Sequence, residues 1–267
     1  MKAVVLAAGR GTRMRRAELE AVLDAEQAAV AARGMKAMMP VGRPFLDYAL
    51  SALADAGVRE VCLVVGPDHR EIRSRYEVDL RPTRLQVGFA VQPKPRGTAD
   101  ALLAAEEFAG GSRVLMVNAD NWYPPSALRE VCALPASGLP GFDAESLVAA
   151  SNFGRERLQA FGLVTRREDG SLENLIEKPD AETLDGTPGA LITMNCWLFR
   201  PVIFEACRRV TPSARGELEL AHAVRIAMTE LDERFEVLPM RGGVLDLSSR
   251  IDVASVAARL AHVEVSL

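Results

Sequence analysis

Short runs of β-branched and aliphatic residues alternate with stretches of helical spacing over the first 135 positions, a layout that predicts a mostly parallel sheet covered by helices. The expected strands are residues 4–6, 61–65, 85–91 and 114–117. Between them Phe45, Tyr48, Ala49 and Leu53 fall on one face of a helix that Pro44 opens and Gly57 closes. Residues 17 to about 33 are rich in Ala and Glu and read as a further helix, part of an insertion over about 15–35 between the first loop and the next strand-helix unit. Beyond Pro135 the spacing loosens. Residues 147–151 read as a strand, 161–167 and 172–177 as a hairpin around Asp169-Gly170, and 191–199 as one more strand, before a final helix, strand and helix. No repeat of 20–50 residues and no low-complexity linker breaks the chain, so one α/β domain over 1–267 is expected.

Composition narrows the class without changing that picture. With 267 residues, 49% hydrophobic and 25% charged, the chain can bury a large core, and disordered and fibrous classes are excluded. A net charge of −4 offers no basic stripe for a duplex, so no nucleic acid is expected as partner; single phosphorylated metabolites need only local positive charge. Cys62, Cys132, Cys196 and Cys207 are widely spaced, with no histidine set to complete a zinc site. Cys62 and Cys196 sit in apolar runs and read as core thiols. Met1 leads straight into the first strand without the pattern of a secretory signal, and no apolar stretch approaches the ~20 residues that cross a bilayer. A cytoplasmic location with no membrane contact is expected, and a homo-oligomer is left open.

Five segments carry candidate chemistry. Leu6-Ala7-Ala8-Gly9-Arg10-Gly11-Thr12-Arg13-Met14 follows the first strand directly. Gly9 and Gly11 let the backbone turn N–H donors toward an anion, and Arg13 adds a planar cationic fork. The loop lacks the third glycine of a dinucleotide fingerprint and the Gly-Lys-Ser/Thr end of a Walker loop, so alone it is equally ordinary turn chemistry. Lys36 stands before Ala37-Met38-Met39-Pro40, a position where a lysine is ordinarily just solvated. In Gln92-Pro93-Lys94-Pro95-Arg96-Gly97-Thr98, Gln92 could read a base edge, Gly97 leaves room for a flat ring, and Thr98 can cap the following helix. Asp120 lies just past the carboxyl end of a strand, where open α/β sheets place their ligands. Asp246 follows another short apolar strand, with Asp252 as a competitor that could instead cap the last helix; two aspartates plus substrate phosphates suit Mg²⁺, which keeps several waters. The fifth segment joins Phe161-Gly162 to Glu177-Lys178-Pro179, either as a surface ion pair or as a lysine for a phosphate and a glutamate for sugar hydroxyls.

Together and in this order, these segments resemble the sugar-1-phosphate nucleotidyltransferases, the nucleoside-diphosphate-sugar pyrophosphorylases, over nearly the whole chain. The resemblance rests on LAAGRGTRM, KAMMPVGRPFLDY, QPKPRGTADA, Asn118-Ala119-Asp120 and Glu177-Lys178-Pro179, with weaker support from RGELEL at 215–220 and from Asp246. It implies a nucleotide-diphospho-sugar transferase (GT-A-like) fold, a mixed, mostly parallel sheet with a Rossmann-like N-terminal half. It further implies that Ala8, Gly9 and the backbone to Gly11 hold the nucleotide, Arg13 and Lys36 grip its phosphates, and Gln92 and Gly97 contact the base. Asp120 and Asp246 would bind Mg²⁺, and Gly162, Glu177, Lys178 and Asn195 would position the sugar and its phosphate. The implied reaction moves a nucleotidyl group from a nucleoside triphosphate, dTTP or UTP favoured, to a sugar 1-phosphate and releases pyrophosphate. The chain departs from the family in the dozen extra residues before Lys36, in Met194-Asn195-Cys196 where an Asn-Ala-Gly-type stretch is usual, and in Leu247-Ser248-Ser249 after Asp246. Two other readings stand beside it: a cytidylyltransferase of the same fold acting on a non-sugar phosphate such as phosphocholine, and a regulatory domain that binds nucleotide without reacting.

Overall fold

The structure is a computed structural model that describes residues 1–16, 18 and 21–267. Its strands, in chain order, are β1 (Lys2–Leu6), β2 (Glu60–Val65), β3 (Gln86–Val91), β4 (Val114–Asn118), β5 (Asn121–Trp122), β6 (Ser137–Phe142), β7 (Gly162–Arg166), β8 (Leu172–Glu177), β9 (Leu191–Thr193), β10 (Trp197–Phe199), β11 (Phe235–Met240) and β12 (Leu245–Asp246). Ten of these form one sheet in the order β3-β2-β1-β4-β10-β6-β9-β7-β8, with β11 beside β6. β1 to β4, β6, β7 and β11 run one way, and β8, β9 and β10 the other, so the sheet is mixed and mostly parallel. The fully parallel quartet β3-β2-β1-β4 is the Rossmann-like half.

Period-2 alternation decides which layer each strand residue serves. Ala3, Val5, Leu63 and Leu115 pack with Leu46, Ala49, Leu50 and Leu53 of the Phe45–Asp55 helix. Val4, Cys62 and Met116 face the opposite layer, with Leu102, Phe204 and Val224 from the helices Thr98–Leu103, Val202–Arg209 and Leu220–Glu230. Both faces are covered, which explains why these strands read as near-continuous apolar runs. A third cluster joins Met14, Val30, Ala31, Met39 and Phe45 to Leu245, Leu247 and Val253, and so seats the insertion and the first loop against the C-terminal part of the chain.

Several expectations need correcting. Residues 147–151 are not a strand but the end of a helix, Ala144–Ala150, because the Asp143 side chain caps it by accepting from Ser146 N at 2.9 Å. The single strand expected over 191–199 is broken into two, β9 and β10, which pair in turn with Phe142 and Gly138 along one edge of β6 while β11 takes the other; Asn195, with φ +61°, makes the break between them. β6 itself, Ser137-Gly-Leu-Pro-Gly-Phe142, reads as a loop in sequence yet is a buried interior strand. A Cβ at Gly138 would stand 2.6 Å from Glu236 O, so neighbouring strands require small residues there. Pro140 is tolerated where β10, which pairs at Gly138, and β9, which pairs at Phe142, leave a gap in the ladder. The expected helix over 17–33 is observed over Ala25–Arg33, opened by an Asp24/Gln27 capping box and closed by Gly34 in left-handed geometry; residues 17, 19 and 20 lie outside those described. Lys36 sits in a single 3₁₀ turn, Lys36–Met38. Thr98 does not cap its helix: its Oγ1 accepts instead from Leu220 N at 2.9 Å.

Cys62, Cys196 and Cys207 are buried thiols, and burial pushes Cys62 up to about 11. No helix of the described residues is long and apolar enough to cross a membrane.

Candidate active site

Because β1, β2 and β4 are parallel neighbours, their carboxyl ends open on one edge, and the loops that follow meet there. They enclose a cleft of about 620 Å³. Ala8, Gly9, Gly11 and Arg13 line it from the β1 loop, Lys36 from the 3₁₀ turn, Gln92 and Gly97 from the segment after β3, and Asp120 from the end of β4. Thus Arg13, Lys36 and Asp120, which are far apart in the chain, share one pocket.

The two glycines that matter most are used against protein backbone. Gly11 has φ +58°, and a Cβ there would fall 2.7 Å from Gly34 C, so the first loop lies directly on the end of the insertion helix and holds it beside Lys36. Gly97 has φ +127°, and a Cβ would meet Leu218 N at 2.6 Å. Leu218 N in turn donates to Arg96 O at 2.7 Å, and Ala99 N donates to Leu218 O at 2.9 Å. The Cβ side of Gly97 is therefore occupied by chain 218, while Gly97 itself lines the cleft. The effect of this packing is to bring Arg215, Gly216 and Glu217 into the cleft wall.

Gln92 is almost fully buried, and its amide Nε2 donates to Gly97 O at 3.0 Å and to an Asp100 carboxylate oxygen at 2.8 Å. Both partners are pure acceptors, which fixes the nitrogen inward and leaves Oε1 as the group Gln92 can present. His69 also lines the cleft; its Nδ1 accepts from Gly66 N at 3.2 Å, and burial lowers its pKa, so the imidazole is neutral and committed to the loop after β2.

Charge is concentrated around Asp120. Lys36 Nζ donates to an Asp120 carboxylate oxygen in a partly buried ion pair. Asp246 approaches the same point from behind, because β5 and β12 form a two-residue ladder that pairs Asp246 with Asn121, and Leu247 N donates to Asp120 O at 2.9 Å. Burial and the neighbouring Asp120 charge push Asp246 up to about 6, against the opposing pull of Ser248, Arg157 and Lys36. Among the described residues no three His, Cys, Asp or Glu side chains gather as a metal cage.

The residues expected on the sugar side line no part of that cleft directly. Gly162 pairs with Glu177 on one side and Thr193 on the other. Lys178, at φ +50°, is exposed, and its N donates to Phe161 O at 3.0 Å. Glu177 has its pKa raised by burial and by Glu219, with Lys178, Arg215 and His222 opposing, which places it beside the 215–219 segment that reaches the cleft. Asn195 stands next to Met194, whose carbonyl accepts from the Tyr123 hydroxyl, and the Asp120 and Asp246 charges both reach that tyrosine. Sequence reasoning did not single out His69 or Arg215 as site residues. Arg215 had a signal in RGELEL, whereas no local pattern marks His69.

The chain matches the nucleotidyl transferase family model over residues 2–242 and belongs to that family. Its relatives include the UTP–glucose-1-phosphate uridylyltransferase AglF of Haloferax volcanii, 30% identical over 225 residues, 84% of this chain and 82% of the relative. A glucose-1-phosphate thymidylyltransferase of Streptomyces griseus is 31% identical over 227 residues, again 84% of this chain. The low-salt glycan biosynthesis nucleotidyltransferase of the same Haloferax is 29% identical over 226 residues. The chain spans only 56% of the length of each of these last two. A solved UDP-glucose pyrophosphorylase complexed with UDP-glucose superposes with a TM-score of 0.74 at 19% identity, covering 97% of this chain and 98% of that one, which shows the nucleotide-diphospho-sugar transferase fold.

Proposed function

We propose that residues 1–267 form one catalytic domain that transfers a nucleotidyl group from UTP or dTTP to a sugar 1-phosphate in the cytoplasm, releasing pyrophosphate. The observation that carries this reading is the meeting of Arg13, Lys36, Arg215 and Asp120 in one cleft with Asp246 against Asp120. A sugar phosphate oxygen attacks the α-phosphorus in line, the new P–O bond forms, and the bond to pyrophosphate breaks. The nucleophile is already an anion at neutral pH, so no general base is required, in keeping with a His69 that is tied to Gly66. Repulsion between two polyanions is the barrier to meet. Arg13, Lys36 and Arg215 in the cleft, and Lys178 beside Phe161, supply fixed positive charge for that purpose.

The Ala8–Gly11 backbone holds the nucleotide, and Gly162, Glu177, Lys178 and Asn195 position the sugar phosphate. Two carboxylates whose charges reach one another, Asp246 being pushed upward by burial and then by Asp120, fit a divalent cation that lacks an all-protein cage. Mg²⁺ on Asp120 and Asp246 would supply charge neutralisation at the triphosphate.

Gln92 argues for the base. With Nε2 committed to Gly97 and Asp100, Oε1 matches the N3–H donor of uracil and thymine and opposes the N3 acceptor of cytosine. Incubation with Mg²⁺, each nucleoside triphosphate and a panel of sugar 1-phosphates and phosphocholine should therefore give pyrophosphate with UTP or dTTP at a kcat/KM about tenfold or more above CTP. Turnover of CTP with phosphocholine alone would establish the competing cytidylyltransferase reading, and no turnover with any pair the regulatory one.

The Asp246 pKa gives a second expectation. A metal ligand must be ionised, so activity should fall as pH drops through about 6 and level off above it. Mg²⁺ favours the ionised form, so raising its concentration should move this acid limb to lower pH. A limb indifferent to Mg²⁺ would separate Asp246 from the metal.

A further inference from the structure

Arg157 belongs to no motif read from the sequence, yet it is the residue around which the back of the site is built. It lies in the 3₁₀ segment Arg155–Ala160, immediately before Phe161-Gly162. Its Nη1 donates to Asp246 Oδ2 at 2.9 Å and its Nη2 to Asp252 Oδ1 at 2.6 Å, so one guanidinium serves two nearly fully buried carboxylates. The same stretch of chain holds the Asp246 backbone. Asn152 Oδ1 accepts from Asp246 N at 2.8 Å, Asn152 Nδ2 donates to Asp246 O at 2.9 Å, and Ser151 Oγ accepts from Val244 N at 3.0 Å. The other Asp246 oxygen accepts from Asn121 Nδ2 at 3.1 Å. Asp252 is in turn anchored, accepting from Ser248 N at 3.0 Å and Ser249 N at 2.7 Å. At the far end of the 3₁₀ segment, Phe161 O accepts from Lys178 N at 3.0 Å. A single strut therefore runs from the Asp246 carboxylate through Arg157 to the backbone that carries Lys178.

We propose that Arg157 is a positioning residue that locks the Asp246 carboxylate in place and ties it to the segment presenting Lys178, so that the metal-binding and sugar-phosphate sides keep one spacing. The proposal rests on the functional reading above. Its physical basis is the fork: a planar guanidinium can hold Asp246 and Asp252 in fixed directions at once, whereas an ammonium is a point charge that cannot. Partners that orient a metal ligand by hydrogen bonding set its affinity even though they never touch the ion.

The test is Arg157→Lys, which keeps the charge, alongside Asp252→Asn, which removes the anchor. Metal binding is read directly by Mn²⁺ titration with electron paramagnetic resonance, independently of turnover, and folding by thermal melt. For Arg157→Lys the Mn²⁺ dissociation constant and the Mg²⁺ concentration for half-maximal rate should rise roughly tenfold, and kcat should fall roughly tenfold or more. The KM for the nucleoside triphosphate at saturating Mg²⁺ should stay within about twofold, because among the described residues the hydrogen bonds of Arg157 reach only Asp246 and Asp252, neither of which lines the cleft. Asp252→Asn should reproduce the Mn²⁺ shift, and the double variant should add little to either. A lower melting temperature with unchanged Mn²⁺ affinity and unchanged kcat would overturn the proposal, leaving Arg157 a structural ion pair. Should the parent release no pyrophosphate with any substrate pair, the functional reading fails on its own account, while the Mn²⁺ titration still decides the role of Arg157.

Discussion

Asp120→Asn is expected to lower pyrophosphate release on the order of 10³-fold while the protein melts close to the parent temperature. The two halves of that expectation come from different atoms of the same residue. The carboxylate lines the cleft and pairs with Lys36. Removing its charge deletes one of the two candidate metal ligands and frees the Lys36 ammonium from the partner that now directs it. The structural contact, by contrast, is made by the backbone, since Asp120 O accepts from Leu247 N at 2.9 Å, and this bond is untouched by an isosteric side chain. The replacement also relieves Asp246, whose pKa is pushed up in part by the Asp120 charge. The acid limb of Mn²⁺ binding at Asp246 should therefore move downward in the variant. A coupled pyrophosphate assay and a thermal melt check the pair of outcomes, and turnover within tenfold of the parent would remove Asp120 from the metal site.

Gly97→Ala should damage both stability and activity. Gly97 combines φ +127° with ψ 175°, a region that only glycine enters without strain. A Cβ there would also collide with the backbone of Leu218, with the nitrogen at 2.6 Å and the carbonyl carbon at 2.8 Å, and backbone cannot swing aside as a side chain can. Strain and overpacking together cost about 3 kcal/mol or more. For a chain of this size that corresponds to a drop of about 6–12 °C in Tm. The segment displaced is the one that carries Arg215 into the cleft, so kcat/KM should fall more than the loss of folded protein explains. Gly170→Ala is the control: φ there is +81° but nothing lies within 4 Å of the added carbon, so only the smaller backbone strain remains. Equal damage from the two substitutions, by melt and by steady-state rate, would show that the close approach to Leu218 is not what glycine is needed for.

The charge arrangement also separates contacts that matter from those that do not. Pairs such as Arg33 with Glu71 and Arg155 with Asp185 are close but exposed on both sides, and exposed pairs contribute at most about 1 kcal/mol. Arg157 with Asp246 and Asp252 is different because both carboxylates are buried, so removing the cation leaves charge that water cannot reach.

How far the amino-acid pattern alone reaches can be judged residue by residue. The parallel quartet was legible to within two residues at each end, since a strand covered on both faces needs an unbroken apolar run and β1, β2 and β4 have one. The Phe45–Asp55 helix was legible from its 3.6-residue spacing and its Pro44 and Gly57 boundaries. β6 was not, because its glycines answer to Glu236 and Leu191 on neighbouring strands and so carry no periodic signal of their own. The misread helix at Ala144–Ala150 shows that a short apolar run is ambiguous until its cap is weighed. Gln92 and Asp120, each just past a strand end, were legible as positions on the sheet edge and do line the cleft, whereas Ala8 was named only through the family resemblance.

By itself, the sequence determined the alternating α/β layout, a consequence of backbone periods of two and 3.6 residues, while the Rossmann-like half and the motif residues at its edge followed from the resemblance to a family. Only the tertiary structure decided that Gly97 makes room for chain 218, that Arg215 reaches the cleft, that a two-residue ladder seats Asp246 opposite Asn121, and that Arg157 grips Asp246. Those outcomes depend on where segments separated by about a hundred residues cross, and local spacing records the direction of a side chain but not what the chain brings opposite it.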